Sequence, residues 1–112
     1  MSLSGIETAK NIFKIVVEDC PISDISTLEK AIDTGLNGVV LQNHATEMEI
    51  TEVNLTNHKS LDAVGVIRAK LTKVLLPSSV TTLILSMNQM VDISCLSNLI
   101  NLSTLLLNCN QI

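Results

Sequence analysis

Few residues in this sequence have the types and spacing that metal binding requires. The two histidines, His44 and His58, each follow an asparagine, in "QNH" and "TNH". A shared metal site would need further cysteine or carboxylate ligands at ligand spacing, and none accompanies them. We therefore expect two turn or surface histidines and no metal site.

Catalytic motifs are also missing from the sequence. It contains no nucleophile elbow, no glycine-rich phosphate loop and no H-E-x-x-H pair. Serine, histidine and aspartate all occur, as they do in most chains, without a spacing typical of catalysis. We expect a protein that is not an enzyme and that needs no cofactor, and an enzyme is kept only as a third hypothesis.

The cysteines and the start of the chain indicate a reducing compartment. Cys20, Cys95 and Cys109 are three in number and have no C-x-x-C spacing. An odd set of cysteines, without a charged segment and an apolar segment typical of a secretory signal, predicts free thiols. We therefore expect a cytoplasmic protein in which these three cysteines do not pair with one another.

The composition limits the classes of partner that the protein can bind. Apolar residues make up 46% of the 112 residues, and Phe13 is the only aromatic, so the core must be aliphatic. The formal net charge of −4 provides no basic surface for nucleic acid. No apolar run approaches the ~18 residues of a membrane-spanning helix. The partner that we expect is another protein, with no nucleic acid and no membrane.

A repeat dominates the second half of the chain. "VTTLILSMNQM" (80–90) returns as "LSTLLLNCNQI" (102–112), so that Leu105 takes the place of Leu83. Both stretches follow L-x-x-L-x-L-x-x-N, in which L-x-L forms a short strand with alternate side chains in the core. The asparagine, Asn88 or Asn110, is expected to bond backbone groups of neighbouring turns that would otherwise be buried unpaired.

The same pattern extends towards the start of the chain. "DIS-x-L" occurs at Asp24–Leu28 and again at Asp92–Leu96, and both are expected to be short helical or 3-10 turns with inward leucine and isoleucine side chains. Cys20 takes the asparagine position of the first copy and should be buried at a turn. The expected organisation is a lead-in at 1–11 and repeats at 12–112, divided as 12–35, 36–60, 61–79, 80–101 and an incomplete 102–112.

The middle of the chain allows two phasings. The preferred one has its third strand at Val64-x-Val66, and the other has it at Val53-x-Leu55, where "ITEVNLTNH" echoes "LNGVVLQNH". That echo, with Val53 in the place of Val39, follows its counterpart too closely to complete one turn of the repeat. Residues 45–60 are then either an extra strand or an irregular excursion.

These motifs resemble the 22-residue class of leucine-rich repeats, which the phosphatase-1 regulatory subunit family and the bacterial internalins share. The resemblance covers 80–112 most specifically and 12–28 well. It implies an α/β leucine-rich-repeat solenoid of about five irregular repeats, with a short-stranded parallel sheet on its concave face. It also implies a scaffold that binds other proteins on that face and performs no chemistry.

The concave face would carry the partner-binding residues. The middle residue of each L-x-L must point outward, and four of the five such residues are aliphatic, Gly65 being the exception. An apolar stripe with a polar rim is typical of a protein-docking surface. The residues that we predict to bind the partner are Lys14, Val16, Glu18, Val40, Gln42, Thr82, Ile84, Ser86, Thr104, Leu106 and Asn108. Cys109 should lie near the rim of this face.

A structural or assembly role is the alternative. The last strand and turn are complete at Ile112, but no further turn or amphipathic cap follows to cover the inner faces of Leu105 and Leu107. Repeat arrays need covered ends. We therefore expect either the N-terminal part of a longer array or self-association through this C-terminal end.

Overall fold

The chain winds as a solenoid that adds one parallel strand per turn to the same sheet. The computed structural model describes residues 12–20, 22–31, 33 and 35–112. The strands of this part are β1 (Lys14–Glu18), β2 (Gly38–Gln42), β3 (Glu52–Asn54), β4 (Ala63–Ile67), β5 (Lys73–Leu75), β6 (Thr82–Ile84) and β7 (Thr104–Leu106). The helical elements described are α1 (Ser26–Lys30) and a 3-10 turn at Ser94–Leu96.

The main sheet has the strand order β1-β2-β4-β6-β7, and every pair in it is parallel. Its strands begin at Lys14, Gly38, Ala63, Thr82 and Thr104, which are successive partners in the sheet register. The longest turn therefore runs from Gly38 to Ala63, and the shortest runs from Ala63 to Thr82. The solenoid thus has about four turns of unequal length.

Alternation along each strand puts one set of side chains into a shared aliphatic core. Val39, Val64 and Leu83 occupy one buried row, and Leu41 and Val66 belong to the next. β-Branched and leucine side chains fit this arrangement, since every strand has one face towards the interior of the turn. The parallel solenoid predicted from the repeat is confirmed. The helical content is much lower than the predicted α/β class implies, because the described residues contain one α-helix of five residues.

Residues 45–60 form an excursion with a strand of its own. β3 pairs in parallel with β5 in a second sheet, where Val53 is the partner of Val74. The main-sheet position beside β2 belongs to β4, and Val39 pairs there with Val64. The sequence that echoes β2 therefore does form a strand. The chain between Val39 and Val53 is too short to complete a turn of the solenoid, so this strand does not join the main sheet. Its buried side chains, Val53 and Leu55, join the same core from the second sheet.

The two "DIS-x-L" stretches make the same turn. Asp24 Oδ1 accepts a hydrogen bond from the backbone N–H of Ser26 at 2.9 Å, and Asp92 Oδ1 accepts one from Ser94 at 2.8 Å. The first leads into α1 and the second into the 3-10 turn, and Leu28 is buried as expected. The corresponding Ile32 and the lead-in at 1–11 lie outside the described residues.

Two asparagines join successive turns. Asn88 is buried, and its Oδ1 accepts hydrogen bonds from the backbone N–H groups of Ala69 and Leu71, at 3.1 and 3.2 Å. Asn110 Nδ2 donates to the carbonyl of Leu85 at 2.8 Å, and its Oδ1 accepts from the N–H of Met90. These are the bonds between turns expected of this position in the repeat.

The residue immediately before the asparagine position of the repeat has a left-handed backbone after four of the five main-sheet strands. These residues are Asp19, Arg68, Met87 and Cys109, with φ between 57° and 63°. Non-glycine residues adopt this conformation at a cost of roughly 1–2 kcal/mol. It recurs because the chain must leave the main sheet sharply at the end of each strand.

The last turn is the most exposed part of the solenoid. Leu83 and Leu85 of the preceding turn are fully buried, whereas their counterparts are more accessible, since Leu105 is 36% exposed and Leu107 is half-buried. Ile112 is 65% exposed. Among the described strands, β7 pairs with β6 alone, so its other edge is open.

No helix in the described part of the chain has the length and apolar character needed to cross a bilayer.

Candidate protein-binding face

The outward side chains of the main sheet form three rows, which together we call the open face. The register fixes them, since partners in neighbouring parallel strands point the same way. The first row is Lys14, Gly38, Ala63, Thr82 and Thr104. The middle row is Val16, Val40, Gly65, Ile84 and Leu106. The third row begins with Glu18, Gln42 and Ile67, and Ser86 and Asn108 follow β6 and β7 at the same edge.

The middle row is aliphatic and accessible at both ends. Val16 is 52% and Leu106 46% exposed, and Val40 and Ile84 are partly exposed. These side chains have the orientation predicted from the repeat. Gly65 interrupts the row without opening a hole, because a Cβ there would lie 3.8 to 3.9 Å from side-chain atoms that include those of Val40 and Ile84.

The first row is polar at its two ends. Lys14 is exposed and its stem lies across Gly38, where an added Cβ would be 3.1 Å from Lys14 Cε. At the other end Thr82 is half-buried and Thr104 is exposed. The row therefore borders the aliphatic stripe with one ammonium group and two hydroxyl groups.

The third row combines exposed and engaged polar groups. Ser86 is buried, and its Oγ lies 2.6 Å from Oδ1 of Asn108, so the hydroxyl donates to the amide oxygen. Gln42 Nε2 lies 2.7 Å from Nε2 of His44. Glu18 is exposed. Ser86 thus positions Asn108 and offers little surface of its own, unlike the direct contact predicted for it.

The two histidines have separate environments. His44 is exposed, and Asp19 Oδ1 lies 2.8 Å from its Nδ1 and accepts a hydrogen bond from its backbone N–H. These bonds, the backbone one foremost, hold the pKa of the Asp19 carboxyl below its usual value. His58 is buried in a turn, with Nε2 2.8 Å from the carbonyl oxygen of Leu28, so of the predicted turn or surface positions it has the turn. Across the described ranges, no three histidine, cysteine or acidic side chains are grouped as metal ligands would be.

The cysteines are all unpaired thiols, as predicted. Cys109 is exposed, and it lies beside Asn108 at the edge of the open face. Cys20 is only half-buried, which corrects the expectation of a buried turn position. Among the described strands, β1, which precedes Cys20, has a neighbour on one side only.

A pocket that the repeat pattern did not predict adjoins the third row. It measures about 360 Å³, and the residues that line it are Glu47, Arg68, Met87, Asn88, Gln89, Cys109 and Gln111. The sequence did contain a signal, because Arg68 is the only arginine of the chain and directly follows the strand at Ala63–Ile67.

Comparison with protein-family models, curated proteins and solved structures gives no match to this chain in any of the three.

Proposed function

We propose that this chain is a leucine-rich-repeat protein of the 22-residue class that binds another protein on its open face, in the cytoplasm. The repeat sequence supports the class, together with Asn88 and Asn110, whose hydrogen bonds to neighbouring turns suit that repeat. The free thiols of its cysteines suit a reducing compartment.

The aligned middle row carries the proposal. Four aliphatic side chains stand in register across the five strands, and they keep exposed surface although most of their neighbours along the strands are buried. An aliphatic stripe bordered by threonine, glutamine and asparagine has the composition of a docking surface.

A binding role is favoured over catalysis by the groups on this face. Its outward side chains are mostly aliphatic residues, hydroxyls and carboxamides, and the charged members, Lys14 and Glu18, belong to the outermost strand. Such groups donate and accept hydrogen bonds but provide no activated nucleophile or general base.

The test is a pull-down with the intact chain as bait. Ile84→Glu puts a charge in the middle row and should abolish capture of the partner while the fold stays intact. The matched control is Ile100→Glu, because Ile100 is 82% exposed and lies outside the main sheet. Capture that survives Ile84→Glu unchanged, or that fails equally with Ile100→Glu, would remove the open face as the binding surface.

Assembly through the last turn is a second proposal, since Leu105 and Leu106 are exposed beside the open edge of β7. A second copy that covers this edge would satisfy the free backbone groups and bury the leucines. Light scattering across a concentration series should then show association that Leu105→Lys suppresses and Ile100→Lys does not. A monomer at every concentration would contradict this proposal.

A further inference from the structure

The pocket beside the third row contains an arginine without an acidic partner. Arg68 forms no ion pair with any carboxylate in the described ranges, although Glu47 lines the same pocket. Its Nη1 lies 3.9 Å from Sδ of Met87, a weak acceptor, and its buried Nε has no hydrogen-bond partner there. The guanidinium therefore has no strong acceptor among the described residues, and its Nη groups remain able to bind one from outside.

Neutral donors surround the same space. Gln89 and Gln111 line the pocket, and neither side-chain amide has a hydrogen-bond partner among the described residues. Asn88 differs, because its amide is fully engaged with the backbone of its own and the preceding turn. One guanidinium group and two free carboxamides therefore share a pocket of about 360 Å³ with the carboxylate of Glu47.

This pocket is continuous with the open face. The backbone N–H of Arg68 donates to the carbonyl of Ser86 at 3.2 Å, and that of Met87 donates to the carbonyl of Asn108 at 3.0 Å. Ser86 and Asn108 end the third row. A peptide segment that lies across the open face could therefore extend one side chain into the pocket.

We propose that Arg68, with Gln89 and Gln111, binds the carboxylate of an aspartate or glutamate side chain of the docked partner. The planar guanidinium fork matches a carboxylate in a bidentate pair. A phosphate, with nearly twice the charge, fits less well beside Glu47 in a chain of net charge −4 that offers one arginine here. The partner's role in this inference rests on the proposed function, whereas the carboxylate site itself can be tested without a partner.

The test is a titration of the 15N-labelled protein followed by NMR. Arg68 is the only arginine, so its Nε–Hε group gives one unambiguous signal, and burial of Nε protects that proton from exchange. The probe is the α-amide of N-acetylglutamate, and the neutral control is the corresponding glutamine derivative. We expect a saturable shift of the Arg68 signal and of the Gln89 and Gln111 side-chain amides with the carboxylate only.

Two variants and one further anion complete the design. Arg68→Lys keeps the charge without the fork and should weaken the apparent affinity by about tenfold. Arg68→Gln should abolish saturation, read from the glutamine amide signals. A shift that stays linear, one that the neutral compound reproduces, or saturation by inorganic phosphate at lower concentration would each overturn the proposal. Ile84→Glu should titrate as the wild type does, which separates a failure of this site from a failure of the open face.

Discussion

Nδ2 of Asn88 lies 2.7 Å from the carbonyl oxygen of Val66, so a side chain of one turn completes the backbone hydrogen bonding of the turn before it. The other end of the same amide accepts from Ala69 and Leu71 of that turn. Because these groups are buried, they have no water to replace the asparagine.

Asn88→Ala should therefore be among the most destabilising single substitutions in this chain. It leaves two backbone N–H groups unpaired, which corresponds to a loss of about 3 kcal/mol in the free energy of unfolding. Asn110→Ala is the matched control, because the half-buried Asn110 accepts from one backbone N–H, that of Met90. We expect about 1 kcal/mol there. Urea unfolding measures both, and equal losses would contradict the argument.

Removal of Glu29 should expose an edge of the second sheet. Glu29 Oε2 accepts a hydrogen bond from the backbone N–H of Asn54 at 2.7 Å, across the open side of β3. Glu29→Ala should lower the free energy of unfolding by about 1 kcal/mol, because this bond to a carboxylate is exposed to solvent and contributes no more than a typical hydrogen bond. Glu52→Ala removes the same charge from the same neighbourhood without breaking a described hydrogen bond. If both variants lose equal stability in urea, charge and not the bond is responsible.

Met87→Gly should stabilise the protein. Met87 has φ of 60° and is 43% exposed, so glycine relieves the left-handed backbone with little loss of packing. We expect a gain of about 0.5 kcal/mol after the greater flexibility of glycine in the unfolded chain is included. Met87→Ala truncates the side chain but keeps the strained backbone. A gain in thermal unfolding temperature with alanine as large as with glycine would show that strain is not the cause.

Acid should weaken the attachment of the 45–60 excursion. Asp33 accepts hydrogen bonds from the N–H groups of Gly35 and Lys59, and these bonds, Gly35 first, hold its pKa below the ordinary value of 3.8. A carboxyl with a depressed pKa in the folded state stabilises fully above its unfolded value, and this stability is lost as pH falls below 3.8 through the folded pKa. Asp33→Asn should therefore show a shallower loss of stability below that pH. Urea midpoints measured at a series of acidic pH values check this, and parallel curves would rule it out.

The main sheet could be predicted because two physical patterns agree in it. Strict alternation in Leu83-x-Leu85 fixes which face is buried, and the recurrence of the same motif one turn later fixes the register with Leu105. The sheet to which Val53 belongs could not be predicted this way, because alternation identifies a strand but not its neighbour. Its partner is Val74, and this pairing depends on the length of the chain that connects β3 to β5.

The pocket around Arg68 illustrates the same limit. Its free side chains come from the ends of three different turns, and Arg68, Gln89 and Gln111 are about one turn apart in sequence. Each alone looks like a solvated polar residue. Only the stacking of the turns brings their side chains to one place. The burial of His58 was missed for a similar reason, since its partner is the carbonyl of Leu28, 30 residues away.

The unequal turns have a consequence for how the solenoid responds to mechanical load. Each strand of the main sheet is fastened only to the strands of adjacent turns, so tension applied at Ile112 acts on β7 alone before it reaches β6. The first turn to detach is the exposed one that contains the half-buried Asn110. Detachment of the next turn must break the hydrogen bonds of the buried Asn88 side chain. A force–extension trace should thus begin with a weak step and continue with a stronger one. Because the turns differ in length, the increase in extension at each step would identify the turn that has detached.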